Sequence, residues 1–104
     1  AEAKARLGMT TEAQDDLNQV RNRRSLKSIN SAITGEALLD AILLERRREL
    51  MGEGWYWYDL MHFNRIPNFT RLTKEDVDMG AAYWPISQQA LSNNKALTQN
   101  SFWK

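Results

Sequence analysis

The stretch Leu44-Glu45-Arg46-Arg47-Arg48-Glu49-Leu50 leads through Glu53-Gly54 into Trp57-Tyr58-Asp59-Leu60. Its first half closes a helical pattern that starts near residue 36 and ends near residue 51. At about 100° per residue, Leu38, Leu39, Ile42, Leu43 and Leu50 share one broad face. Arg46 and Glu49 fall on that same face as i, i+3 neighbours, while Arg47 and Arg48 point away. A charge on an apolar face must be paired and hydrogen-bonded to be tolerated there. Arginine suits that role, because its planar fork can bond a carboxylate and helix-end carbonyls together. Arg46 and Glu49 are therefore expected to build a structural network; the rival reading makes Glu49 an acid–base group or Arg46 an anion clamp. On the structural reading, loss of Arg46 orphans a buried partner and costs on the order of 3–5 kcal/mol.

Upstream, the pattern stays helical. Residues 1 to 7 resemble the end of a helix, with Gly8 suited to the left-handed position that follows it. Thr11-Glu12-Ala13-Gln14 matches a capping box, and Ala13, Leu17 and Val20 follow as one apolar stripe. A helix, a tight turn and a second helix over residues 12 to 23 are predicted, the antiparallel unit of tetratricopeptide-like arrays. Residues 25 to 34 are rich in Ser and Asn and predict a loop, with Thr34 as cap and Glu36 in the first turn of the helix beyond. Gly52 and Gly54 bracket that helix's end. Arg21, Arg23, Arg24 and Lys27 gather near a helix end, where cations complement the dipole.

Downstream lies the aromatic cluster Trp55-Tyr56-Trp57-Tyr58-Asp59-Leu60-Met61-His62-Phe63. Strand competes here because aromatics favour strands. Helix is the better reading, since no clean two-residue alternation runs through Asp59 and His62. As a helix, Tyr56, Trp57, Leu60, Met61 and Phe63 line one arc, and are expected in the core. Trp55, Tyr58, Asp59 and His62 line the other, which leaves Trp55 and Tyr58 as candidate ligand-facing aromatics. Pro67 ends regularity. A short capped turn is predicted over residues 73 to 78. From Ala81 the chain is expected to be mostly extended, with a helical turn capped by Ser87 and an irregular tail from Ser92 to Ser101 pinned by Phe102 and Trp103.

Composition removes several function classes. The 104 residues carry 14 basic and 13 acidic side chains, a net charge of +1. That is no electrostatic footprint for nucleic acid or an anionic membrane. No cysteine is present, so disulfides and thiolate metal sites are excluded within the chain. Asp59 and His62 stand i, i+3, but one His with one carboxylate makes no metal site or catalytic dyad. No phosphate-binding Gly loop or nucleophile elbow occurs. No cofactor and no metal are expected. The chain opens at Ala1 inside a helical pattern, so a piece of a longer chain is expected.

Three segments in order carry a family resemblance: Leu17-Asn18-Gln19-Val20-Arg21-Asn22-Arg23, the Leu44 to Leu60 stretch, and Trp84-Pro85-Ile86-Ser87 through Leu97-Thr98-Gln99-Asn100. Together they resemble the carboxy-terminal part of SusD/RagB proteins, and the likeness covers residues 1–104 as one helical segment. Ser87, Lys95 and Ser101-Phe102-Trp103 depart from the family's proline-rich closing pattern.

The resemblance implies a mostly α fold: tetratricopeptide-like helical pairs of an α–α superhelix with an irregular extended tail. It implies that Asp59 acts as a structural acceptor alongside Arg46 and Glu49. It also implies a non-enzymatic lipoprotein on the outer face of the Bacteroidetes outer membrane, anchored by a lipid attached outside this segment. Such proteins lie over a SusC-like TonB-dependent transporter and pass it glycans or peptides. The family's sugar contacts lie mostly upstream, so this segment is expected to be mainly scaffold. A helical-repeat protein–protein interaction module is the alternative.

Overall fold

The computed structural model describes all 104 residues, and they divide into two compact units, Ala1–Asp59 and Leu60–Lys104. The first unit contains α1 (Glu2–Arg6), α2 (Thr10–Arg23) and α3 (Gly35–Glu49). Helix α4 (Tyr56–His62) carries the chain across the division, and α5 (Ile66–Phe69), α6 (Lys74–Asp78) and α7 (Gln88–Asn93) belong to the second unit, which closes with a 3-10 turn over Ser101–Trp103. No strand forms, and the aromatic cluster is helical from Tyr56 to His62, with Phe63 in the turn that follows.

In the first unit α1, α2 and α3 pack against one another. Ala13 and Leu17 of α2 meet Leu38, Leu39, Ile42 and Leu43 of α3 as the buried apolar set. The apolar faces read from the sequence thus form the core, except that Val20 stays 39% exposed and Leu50 is only half-buried. In the second unit the buried apolar residues are Leu60, Phe63, Ile66 and Ala81. Of the aromatics expected in the core, Phe63 is buried, while Tyr56 and Trp57 are only half-buried.

Four helices end in the same way. After α1, the Met9 amide donates to the Lys4 carbonyl and the Gly8 amide to Ala5. After α2, Leu26 donates to Arg21 and Ser25 to Asn22; after α4, Arg65 donates to Leu60 and Asn64 to Met61. After α6, Ala81 donates to Asp76 and Gly80 to Val77. Each is the paired 6→1 and 5→2 closure of a Schellman motif, which needs a left-handed residue. Gly8 and Gly80 supply it at φ +78° and +101°, and Ser25 and Asn64 adopt it at φ 57° and 54°.

Local chemistry differs from the sequence reading at two caps. The Thr11–Gln14 capping box does not form: α2 starts at Thr10 after Met9, and no side chain caps it. Starting two residues earlier than expected puts Thr11 inside the first turn. Gln14 is instead buried, and its amide donates to the carbonyls of Ser31 at 3.1 Å and Ile33 at 2.8 Å, tying the loop to α2. Thr34 is the N-cap residue of α3, yet its hydroxyl caps nothing.

The second unit follows its caps closely. Thr73 and Asp76 form a complete capping box: Asp76 N–H donates to the Thr73 hydroxyl at 3.1 Å, and Thr73 N–H to the Asp76 carboxylate at 2.8 Å. Ser87 caps α7. The tail is pinned by side chains that stand in for a neighbouring strand. Gln99 accepts from the Ile86 amide at 3.1 Å and donates to the Ile86 carbonyl at 2.9 Å, and Asn100 donates to the Gly80 carbonyl.

Two outcomes are expected. A Cβ at Gly80 would lie 2.9 Å from Asn100 Cγ, whereas one at Gly54 meets nothing within 4 Å. Gly80→Ala should therefore cost about 2–3 kcal/mol, against about 1 kcal/mol of left-handed strain for Gly54→Ala, in urea denaturation. The Asp76 carboxyl is held below its ordinary range by the Thr73 amide and then the Thr73 hydroxyl. Because its folded pKa is depressed, its contribution is present above the unfolded value near ~3.9 and lost as pH falls through the folded one. Amide protection factors in α6, measured against the intrinsic exchange rate at each pH, should fall below about pH 4, and Asp76→Asn should flatten that response.

Candidate functional site

The acidic and basic side chains of α3 reach three different places. Glu45 lies one turn beyond Ile42, on the buried stripe, and is 3% exposed. Its Oε2 accepts from Arg21 Nη1 of α2 at 2.9 Å and from Arg48 Nη1 at 3.4 Å. Arg21 also donates through Nε to the Lys27 carbonyl at 2.9 Å, so one guanidinium joins α2, α3 and the loop between them. A buried carboxylate needs such a partner, since an unpaired one would cost several kcal/mol.

Arg46 lies beside this pair and bonds Asp59 through two parallel contacts, Nε to Oδ2 at 3.0 Å and Nη2 to Oδ1 at 2.9 Å. Asp59 is buried, and its side-chain bond holds the Arg46 guanidinium above its ordinary range. This fork ties the end of α3 to the first turns of α4 across the Met51–Trp55 bend. Arg47 leans over the Tyr56 ring, 4.4 Å from its centre, in the same corner.

Glu49 does not pair with Arg46. It takes a two-pronged contact from Arg24 of α2, Nε to Oε1 at 2.9 Å and Nη2 to Oε2 at 3.0 Å. The i, i+3 reading counted neighbours along one helix and overlooked that α2 runs beside it with its own arginines. It also overlooked Glu45, the most buried charge of the motif. The signal was available, because Leu38, Ile42 and Glu45 recur at i, i+4, i+7. Of the basic cluster near the end of α2, Arg21 and Arg24 are thus committed to α3. No buried side-chain nitrogen or oxygen lacks a partner.

A hollow of about 620 Å³ opens in the first unit, lined by Leu17, Val20, Ile42 and Leu50 with Glu45 and Arg46 at its edge. The two candidate ligand-facing aromatics, Trp55 and Tyr58, are 52% and 64% exposed. Their rings meet edge to face with centres 6.5 Å apart. The Asp59 carboxylate faces Arg46, and the His62 imidazole stands edge-on to Phe63 with ring centres 5.5 Å apart. No three His, Asp or Glu side chains converge as metal ligands.

Comparison with known proteins settles what kind of frame this is. The sequence model of the SusD family matches residues 1–82, from α1 through the close of α6. The chain belongs to the SusD family. SusD-like protein P38 of Formosa agariphila is 35% identical over 112 residues, which cover 96% of this chain and 21% of that protein. Two solved structures from Bacteroides thetaiotaomicron have the same fold. A SusD homolog is 42% identical with a TM-score of 0.81, and a SusD superfamily protein is 37% identical with a TM-score of 0.79. Each superposes on 99% of this chain, which covers 23% and 24% of their respective lengths. The chain thus spans between a fifth and a quarter of the relatives it matches. Its helices are the tetratricopeptide-like helices of a SusD-type protein. The Ser87, Lys95 and Ser101-Phe102-Trp103 departures all fall beyond the residues that the family model matches.

The unequal burial of the three ion pairs sets their expected energies. Arg21→Ala should lower stability by about 2–3 kcal/mol, because it leaves the Glu45 carboxylate buried with one long contact. Arg46 is 40% exposed through its side chain. Its loss should therefore cost about 1–2 kcal/mol, less than the sequence reading implied. Arg24→Ala should leave the urea midpoint almost unchanged, since Arg24 is 65% exposed. Reversal of the Arg21 and Arg24 effects would overturn this ranking.

Proposed function

We propose that this segment is the helical frame of a non-enzymatic nutrient receptor, part of a SusC/SusD-type uptake system at the outer membrane. The observation that carries the proposal is membership of the SusD family together with the use made of the charged motif. Glu45, Glu49, Arg46 and Asp59 hold α2, α3 and α4 to one another. A carboxylate locked in a two-pronged arginine contact is poorly placed to move a proton, which supports a scaffold reading over an acid–base one. In this reading residues 1–104 act as one segment of a longer receptor. The receptor is lipid-anchored, faces outward, and presents a glycan or peptide to a SusC-like TonB-dependent transporter. No bond in the ligand is made or broken.

Within the segment, Trp55 and Tyr58 are the side chains offered to a ligand. Their exposure and edge-to-face contact support that role, because a ring held by a neighbour can present a flat face to sugar C–H groups. Arg46, Glu49 and Asp59 have a structural role only.

The test uses the protein as its source bacterium expresses it. An antibody against this segment should recover it in the outer-membrane fraction, and a mild-detergent pull-down should bring a large β-barrel transporter with it. Recovery in the cytoplasm without a barrel would sink the proposal and favour a helical-repeat interaction module. Trp55→Ala should weaken retention on the glycan that the receptor binds by about two- to tenfold, the equivalent of one aromatic contact, with the melting temperature unchanged.

A further inference from the structure

The second unit displays an aromatic group that its own core does not use. Trp84 is 91% exposed and Tyr83, beside it, is 64% exposed. The backbone that carries them is held on both sides. Trp103 Nε1 donates to the Tyr83 carbonyl at 2.8 Å, and Gln99 brackets Ile86 with two hydrogen bonds. Asn100 and Phe102 attach the same tail to Gly80 and Met79. An indole on a pinned backbone is preorganised, and loses little backbone freedom when something closes around it.

We infer that Trp84 is an anchor that inserts into an apolar socket formed by the part of the same protein lying outside these 104 residues. More than three quarters of each relative lies outside the stretch this chain matches, so ample chain is available to form that socket. The exposure pattern favours a socket over a flat ligand. A ring that stacks on a sugar normally rests its other face on protein. Trp84 has neither face supported, so one flat ligand would leave most of its apolar surface wet. A socket that encloses the ring would remove both of its faces from water. The indole N–H has no acceptor within the chain, so the socket supplies one, as buried tryptophans require. The tail's side-chain clamp, Gln99 to Trp103, is then the device that aims the anchor. The inference rests on family membership and is independent of what the receptor binds.

The test is hydroxyl-radical footprinting of the full-length protein, read residue by residue by mass spectrometry. The rate of oxidation at Trp84 is compared in native protein and in urea. The expected result is strong protection of Trp84, approaching that of Phe63, which is 3% exposed. Oxidation at the unfolded rate would overturn the inference. So would protection that appears only with added glycan, which assigns Trp84 to the ligand, or protection lost on dilution, which assigns it to another chain.

Discussion

A carboxylate buried among leucines governs the first unit. Glu45 sits one turn beyond Ile42 in the interface between α2 and α3, and Arg21 sits one turn beyond Leu17 on the facing helix. The ion pair and the apolar contacts therefore require the same register of one helix on the other. Sliding α3 by a turn would strand the charge in apolar surroundings, at a cost that the hydrophobic contacts could not offset. Because the Arg21 guanidinium also holds the Lys27 carbonyl, the loop between the helices is drawn into the same constraint.

The other ion pairs grade outward from this one. Arg46 and Asp59 combine a buried acid with a half-exposed base, and hold the corner where the chain turns from α3 into α4. Arg24 and Glu49 lie at the surface and add geometry more than stability. A run of like charges in one helix is thus tolerated because its members point to different partners. Arg47 on Tyr56 extends the pattern, with a ring in place of a carboxylate.

The second unit is held differently. Its helices are short, so backbone closures and side-chain bonds to the backbone carry more of the order. The Schellman closure after α6, the Asn100 bond to Gly80 and the Gln99 bracket around Ile86 form one continuous set. This arrangement positions aromatics that the unit's own core does not contain. The aromatic cluster of residues 55 to 63 looks uniform in sequence but not in exposure: Phe63 is buried, whereas Trp55 and Tyr58 face outward.

Helix periodicity, the left-handed glycines and the Thr73 and Ser87 caps were legible in the residues, because each depends on a few neighbours along the chain. So were the apolar faces of α2 and α3, and the family, whose motif keeps its spacing through the Glu53-Gly54 turn. Partners were not legible. The sequence places Arg46, Glu49 and Glu45 on one helix, but which carboxylate meets which arginine depends on how α2 lies beside α3. That register comes from the packing of Leu17 against α3. The same holds for Gln14, which looks like a capping residue until the loop over residues 25 to 34 folds back and offers it two carbonyls. Ser25 and Asn64 take the left-handed conformation for a related reason: the closure after each helix is imposed by where the chain must go next. Short-range chemistry can be read from a string of residues, whereas a contact between distant residues exists only once the helices have chosen their faces.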